Sequence, residues 1–136
     1  YKRQPPARVT SEVDRILSLT SLADHSGQKI KTLSGGMRRR VTIGSALVGE
    51  PSLIILDEPS AGLDIGQRDS LSTILGSVAE QAVTIVSTHL VEDIIDHADT
   101  ITIMNTGRLC FDGSVEDFSA SRSLEAVRDA YLGLVS

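Results

Sequence analysis

The chain has 136 residues, a net charge of −5 at pH 7 and an apolar content of 40%. This length suits one domain with a core of its own, and the composition is ordinary for a globular protein. The acidic balance argues against broad, non-specific binding to nucleic acids. No apolar run approaches the roughly 20 residues of a membrane helix, and the single Cys110 cannot form an internal disulfide.

The N-terminal stretch predicts an extended lead-in followed by a helix. Residues 1–8 contain two prolines and no periodicity, which is typical of irregular backbone. Apolar residues at three- and four-residue spacing then predict a helix over 11–19. Ser11 and Asp14 fit a variant of the capping box at the beginning of this helix.

A Ser-Gly-Gly sequence begins the next predicted helix. Ser34 can cap it, and apolar residues at helical spacing predict a helix over 36–48. Free N–H groups and missing β-carbons make such a start a potential anion site, although Ser-Gly-Gly by itself is more often an ordinary cap. The basic cluster at residues 38–40 fits a solvated helix face as readily as a functional surface.

The middle of the chain predicts a βαβ unit. Residues 53–56 are apolar, short and without polar alternation, so they predict a strand buried on both faces. An apolar stripe predicts a helix over 67–80. Residues 82–86 form a second short run rich in β-branched residues. Strand, helix and strand at these lengths predict parallel strands joined by a right-handed crossover.

The C-terminal part predicts a short helix, a hairpin and a last helical region. Residues 91–98 predict the short helix, and residues 100–111 predict two strands around a turn at Gly107. Ser114 and Asp117 fit the start of the last helical region. Together the elements predict an α/β fold with parallel strands, flanking helices and a C-terminal hairpin.

Polar side chains follow both predicted parallel strands. The first strand runs into Asp57 and Glu58, and the second into Ser87, Thr88 and His89. Open α/β sheets bind ligands at the carboxyl ends of their strands, so these residues are candidates for one site. A carboxylate there can hold a hydrated Mg²⁺, and its neighbour can orient a water for attack on phosphorus. Each signal alone also fits a turn or a surface residue.

In combination, four short sequences resemble those of ATP-binding-cassette (ABC) ATPases. Residues 33–37 (LSGGM) resemble the signature motif, and residues 53–58 (LIILDE) resemble the Walker B strand with its catalytic glutamate. Residues 60–64 (SAGLD) resemble the D-loop, and His89 in Ser-Thr-His resembles the switch histidine. All four follow the family's order and spacing, and the resemblance extends over about residues 9–113.

The resemblance implies an ATP site at the strand ends. Asp57 would support Mg²⁺, through water, and Glu58 would act as general base or polarise the attacking water. His89 would contact the γ-phosphate. ATP and Mg²⁺ are the implied cofactors, both expected only with the complete domain.

The resemblance also implies a site shared between two domains. Ser34, Gly35 and Gly36 would contact the γ-phosphate of a nucleotide held by a second nucleotide-binding domain. Asp64 would communicate across the same interface. The implied partners are that second domain and a membrane permease subunit, with no nucleic acid favoured. The implied location is the cytoplasmic, inner face of the membrane.

Two features depart from the family pattern. Met37 replaces the commonest glutamine, and LSGGMRRR is similar to exporters of drugs, lipids or polysaccharides whose permease is a separate protein. The P-loop pattern G-x-x-x-x-G-K-[ST] does not occur in the sequence. By this resemblance the chain is expected to be the C-terminal part of a nucleotide-binding domain, with a partial P-loop NTPase-like parallel sheet. Either it is a fragment, or its other half is another chain. The helical subdomain and signature helix would cover about residues 1–50, and the catalytic core about 51–136.

The missing P-loop leads to two further expectations. The chain alone is expected neither to bind ATP tightly nor to hydrolyse it, because nucleotide phosphates largely hold the Mg²⁺ at such sites. A partial sheet also exposes an edge and an apolar face, so self-association of the chain is expected.

Two other functions remain open. An ATP-gated clamp on DNA or the ribosome shares the signature and Walker B sequences. However, the sequence from His89 into the hairpin is more similar to transporter ATPases, and no heptad run indicates a coiled coil. The second alternative is a non-catalytic interaction module, in which the chain supplies only a surface for a partner.

Overall fold

The computed structural model describes residues 6–91, 95 and 97–135. The chain forms two compact units, one up to Ser87 and one from Thr88 onward. The division expected near residue 50 lies inside the first unit and stays a prediction about subdomains. Among the described residues, no helix is long and apolar enough to cross a bilayer.

The first unit contains the predicted βαβ arrangement. Its helices α1, α2 and α3 span Pro6–Leu19, Gly35–Ala46 and Ile65–Ala79, and its strands β1 and β2 span Leu53–Asp57 and Val83–Ser87. The two strands pair in parallel, with Asp57 opposite Ser87. The parallel pairing and the α/β fold class are thereby confirmed.

Helix α1 begins earlier than the sequence predicted. Pro6 is its first residue, a position where the missing N–H is not needed and the fixed φ suits a helix. Ser11 therefore lies inside the helix, where its hydroxyl donates to the Arg8 carbonyl at 3.1 Å. The predicted capping box at Ser11 is wrong. Two short 3₁₀ turns, Ala23–His25 and Ile30–Thr32, lead from α1 to α2.

One face of the β1–β2 pair is covered and the other is open. The core of the first unit combines one residue of β1 with residues of α2 and α3: Ile43, Leu47, Ile54, Leu71, Ile74 and Val78. On the opposite face, Ile55 is 68% and Val83 65% exposed. The strand is therefore not buried on both faces as predicted, because the buried helix residues lie on the Ile54 side. The expected exposed apolar face is confirmed.

The described residues of the second unit form an antiparallel hairpin followed by helices. Strands β3 and β4 span Thr100–Asn105 and Arg108–Ser114, and helices α4 and α5 span Val115–Phe118 and Leu124–Val135. The Asp117 N–H donates to the Ser114 hydroxyl at 3.0 Å, so the predicted cap at Ser114 is confirmed. Half of the predicted helix over 91–98, residues 92–94 and 96, lies outside the described residues.

Candidate functional site

Strand β1 ends at the first of two adjacent carboxylates. Asp57 is its last residue and has an exposed side chain, whereas the Glu58 side chain is half-buried. The Ser87 hydroxyl of β2 donates a hydrogen bond to Asp57 Oδ1. The Glu58 N–H donates to the Ser87 carbonyl at 2.9 Å. The two carboxylates therefore have different surroundings at the carboxyl end of one parallel pair, which suits different chemical roles.

The backbone at Glu58 adopts a conformation that few residues with a side chain adopt. Its φ is +46°, in the left-handed region, which costs a non-glycine residue about 1–2 kcal/mol. Such a conformation persists only where surrounding contacts hold it, and it is common at functional sites. The turn after β1 is therefore maintained by its neighbours.

The signature sequence forms the N-terminus of α2. The Met37 N–H donates to the Ser34 hydroxyl at 3.2 Å, which confirms the predicted cap. Ser34 and Gly35 are exposed, and Gly36 is buried. A β-carbon on Gly36 would lie 2.5 Å from Cδ of the Gln67 side chain, whereas one on Gly35 would meet nothing within 4 Å. The Gln67 side chain of α3 therefore occupies the space that a β-carbon at position 36 would take.

Asp64 has a local structural role in addition to its predicted one. Its Oδ1 accepts a hydrogen bond from the Gln67 N–H at 2.9 Å. The Asp64 N–H in turn donates to Gln67 Oε1 at 3.3 Å, which completes a capping box at the start of α3. Communication across a dimer interface through Asp64 stays a prediction.

Arg39 joins α2 to the end of β1, a contact that the sequence did not reveal. Its Nε donates to the Pro59 carbonyl at 2.8 Å, and its Nη2 donates to the Asp57 carbonyl at 3.3 Å and to the Glu58 carbonyl. The solvated-face interpretation of the basic cluster is therefore wrong for this residue. The sequence does not distinguish Arg39 from Arg38 and Arg40, because its partners at residues 57–59 lie about twenty positions later.

His89 belongs to the second unit. Its side chain is exposed. The Leu90 N–H donates to the Thr88 hydroxyl at 3.0 Å, which shapes the backbone on both sides of the histidine. The predicted contact between His89 and a phosphate stays a prediction.

The donors at the strand ends fit Mg²⁺ only together with a nucleotide. Among the described residues, no group of three or more His, Cys, Asp or Glu side chains could hold a metal ion. Asp57 and Ser87 offer one carboxylate and one hydroxyl. Mg²⁺ keeps several waters and binds one or two carboxylates together with substrate phosphates, so this donor set suits it when phosphates complete the shell.

Curated relatives of the chain are ATP-binding proteins of transporters. A family model described as ABC transporter matches residues 3–61. The chain is 38% identical over 111 residues to the energy-coupling factor transporter ATP-binding protein EcfA3 of Oenococcus oeni, covering 80% of the chain and 38% of the relative. It is 36% identical over 118 residues to the sulfate/thiosulfate import ATP-binding protein CysA of Nocardia farcinica, covering 85% and 36% respectively. The chain thus spans less than two fifths of the length of these relatives.

Solved structures share the fold. The chain aligns with MJ1267, an ATP-binding cassette of an ABC transporter, with a TM-score of 0.74 and 24% identity, covering 96% of this chain and 53% of the other. The ADP conformation of MJ1267 gives a TM-score of 0.74 at 23% identity. These likenesses establish the fold, and the sequence matches add the family. The chain belongs to the ABC transporter family, as part of its ATP-binding cassette.

Proposed function

We propose that this chain is part of the ATP-hydrolysing subunit of an ABC transporter, at the cytoplasmic face of the membrane. The observation that carries the proposal is the parallel pairing of β1 with β2. It brings Asp57 and Glu58 beside Ser87 at the carboxyl ends of the strands, where open α/β sheets bind ligands. The ATP-binding names of the relatives support ATP as the nucleotide.

The two carboxylates would perform different steps. Glu58 would accept a proton from the water that attacks the γ-phosphate, and its half-buried side chain suits a general base. Asp57, oriented by the Ser87 hydroxyl, would hold Mg²⁺ through water. The metal, when bound, supplies neutralisation of negative charge on the phosphates. His89 would donate a hydrogen bond to the γ-phosphate.

The N-terminus of α2 would serve the nucleotide of a second domain. Ser34 and Gly35 are exposed there, and the N–H groups of a helix start attract anions. Gly36 leaves room for the Gln67 side chain of α3, which lies beside this helix start. In a dimer of nucleotide-binding domains, these three residues would contact the γ-phosphate held by the partner, and Asp64 would lie at the same interface.

We further propose that the transporter is an exporter whose permease is a separate protein. The sequence LSGGMRRR supports export, whereas CysA is named as an import protein. A reading frame for a membrane permease next to the gene would support a transporter built from two proteins. The side of the membrane on which its cargo accumulates then decides the direction, and accumulation inside the cell contradicts export.

The structure adds nothing in favour of a DNA or ribosome clamp. The longest helix among the described residues, α3, has 15 residues. A long coiled coil needs many heptads, and 15 residues supply about two, so the described residues contain no long coiled coil. The relatives named above are transport proteins.

Magnesium-dependent ATP turnover by the complete gene product tests the proposed function. Glu58→Gln is expected to lower kcat by at least about 100-fold, because it removes the general base. Glu80→Gln is the matched control: this exposed carboxylate at the end of α3 lies outside the site, so turnover is expected to stay within about twofold. Unchanged turnover in Glu58→Gln contradicts the proposal.

The 136-residue chain by itself is expected to show no turnover. Asp57 and Glu58 lie at the strand ends, but the P-loop pattern that would position the phosphates does not occur in this sequence. The same assay on the purified chain checks this. Magnesium-dependent turnover that disappears in Glu58→Gln would show that the chain is active alone.

A further inference from the structure

The Arg39 side chain of α2 binds the turn that carries the two carboxylates. Its guanidinium donates to the carbonyls of three successive residues, Asp57, Glu58 and Pro59. The Arg39 side chain is half-buried. A planar guanidinium with several fixed donors can bind carbonyls on more than one side, which a single ammonium group cannot do in the same geometry.

The turn that Arg39 binds is the strained one. Glu58 has a φ of +46°, and such backbone persists where neighbouring contacts hold it in place. The Glu58 N–H is bound by the Ser87 carbonyl at 2.9 Å, and the Glu58 carbonyl accepts from the Ala61 N–H at 3.2 Å. Arg39 adds a contact from α2 to this peptide, so it links the turn to the helix that is capped by Ser34.

We infer that Arg39 is a positioning residue for Glu58. By fixing the carbonyls on both sides of the Glu58 α-carbon, the guanidinium sets the direction in which the Glu58 carboxylate leaves the turn. The inference rests on the proposed function, in which that carboxylate activates water. Arg39 also ties the turn to the helix whose N-terminus would contact the second domain, so movement of α2 moves the catalytic carboxylate.

Kinetics of the complete gene product separate positioning from simple stabilisation. Arg39→Gln is expected to lower kcat on the order of 10- to 100-fold, the cost of displacing a catalytic group by about 1 Å, with the Kd for ATP unchanged. Arg39→Lys, which keeps the charge but loses the planar fork, is expected to fall between wild type and Arg39→Gln. Arg40→Gln is the matched control, since the Arg40 guanidinium donates to the Thr20 and Ser21 carbonyls at 3.4 and 3.5 Å, away from this turn.

A double-mutant cycle of Arg39→Gln and Glu58→Gln distinguishes positioning of Glu58 from a purely structural role of Arg39. If Arg39 acts through Glu58, adding Arg39→Gln to Glu58→Gln lowers the residual single-turnover rate by less than about twofold, because the group it positions is already gone. The same fold loss in both backgrounds overturns the inference. So does a kcat for Arg39→Gln equal to that of Arg40→Gln. If Glu58→Gln alone leaves turnover unchanged, the proposed function fails, and the inference fails with it.

Discussion

Asp57 and Ser87 lie opposite each other in the parallel β1–β2 pair, and the Ser87 hydroxyl donates a hydrogen bond to the Asp57 carboxylate. The bond joins the last residues of two strands that are thirty positions apart in the sequence. It fixes the orientation of the carboxylate proposed to support Mg²⁺.

Removal of the Ser87 hydroxyl is expected to weaken the response to Mg²⁺. In the complete gene product, Ser87→Ala should raise the Mg²⁺ concentration for half-maximal ATP turnover about tenfold, because a hydrogen bond to a charged group contributes roughly 1.5–3 kcal/mol. Ser77→Ala removes a hydroxyl that binds the Thr73 carbonyl inside α3 and serves as control. An unchanged Mg²⁺ dependence in Ser87→Ala would show that the bond does not orient the metal ligand.

A β-carbon at position 36 is expected to disturb the capping box of α3. Gly36→Ala would place that carbon 2.5 Å from the Gln67 side chain, so Gln67 must leave the Asp64 N–H. Gly35→Ala has open space and serves as control. The flexible Gln67 side chain can move aside, so the cost is that of the lost hydrogen bond, about 0.5–1.5 kcal/mol. The free energy of unfolding in urea should be lower for Gly36→Ala than for Gly35→Ala by that amount.

The Gln67→Ala variant tests whether the Gln67 side chain causes the cost of Gly36→Ala. In a Gln67→Ala background the obstructing side chain is absent, so Gly36→Ala should cost clearly less than it does in the wild-type background. Equal costs in both backgrounds would mean that Gln67 does not determine the glycine at position 36.

The Glu12 carboxylate is expected to stabilise the fold at neutral pH and to lose this effect in acid. The Arg15 guanidinium donates to both of its oxygens at 2.8 and 2.9 Å, and the Gly49 N–H donates to Oε1 at 2.8 Å. These bonds lower the pKa of Glu12 from 4.5 to about 2. Because the folded-state pKa is the lower one, the contribution is complete above pH 4.5 and is lost as the pH falls from 4.5 towards 2.

Urea unfolding at pH 7 and pH 3 measures this contribution. Glu12→Gln should lower the unfolding midpoint at pH 7, and its difference from wild type should be smaller at pH 3. Asp14→Asn removes an exposed carboxylate from the same helix and controls for charge. A Glu12→Gln effect that is equal at both pH values would rule out the ion pair as its source.

The open face of the β1–β2 pair is expected to drive self-association of the 136-residue chain. Its four apolar side chains are each more than half exposed: Leu53, Ile55, Val83 and Ile85. Contiguous exposed apolar surface favours association. Ile55→Lys should lower the mass-average size in light scattering, whereas Ile30→Lys, at an exposed position in a 3₁₀ turn, should not. A monomeric wild-type chain at high concentration would contradict the expectation.

Elements defined by local pattern were predictable from the sequence. The alternation of short apolar runs with an apolar helical stripe predicted β1, α3 and β2, because the periods of strands and helices differ. Ser34 was predictable as a cap, because its hydroxyl binds an amide only three residues later. Such signals depend on neighbours in the sequence and need no tertiary structure.

Features set by distant contacts were not predictable. Arg39 resembles its neighbours in sequence, and only the position of the β1 turn distinguishes it. The left-handed backbone of Glu58 has no sequence signal, because glutamate rarely adopts it. The exposure of Ile55 depends on which faces of the strand other elements cover, whereas its apolar neighbours alone indicated a buried strand.

The oligomeric state of the Glu58→Gln variant of the complete gene product tests whether two domains share the ATP site. With ATP and Mg²⁺ present, removal of the general base should leave ATP uncleaved between two domains joined through Ser34, Gly35 and Gly36. Sedimentation should therefore show a dimer that retains ATP, while the wild-type protein turns ATP over and dissociates. A Glu58→Gln variant that remains monomeric with ATP and hydrolyses it at the wild-type rate would contradict the account.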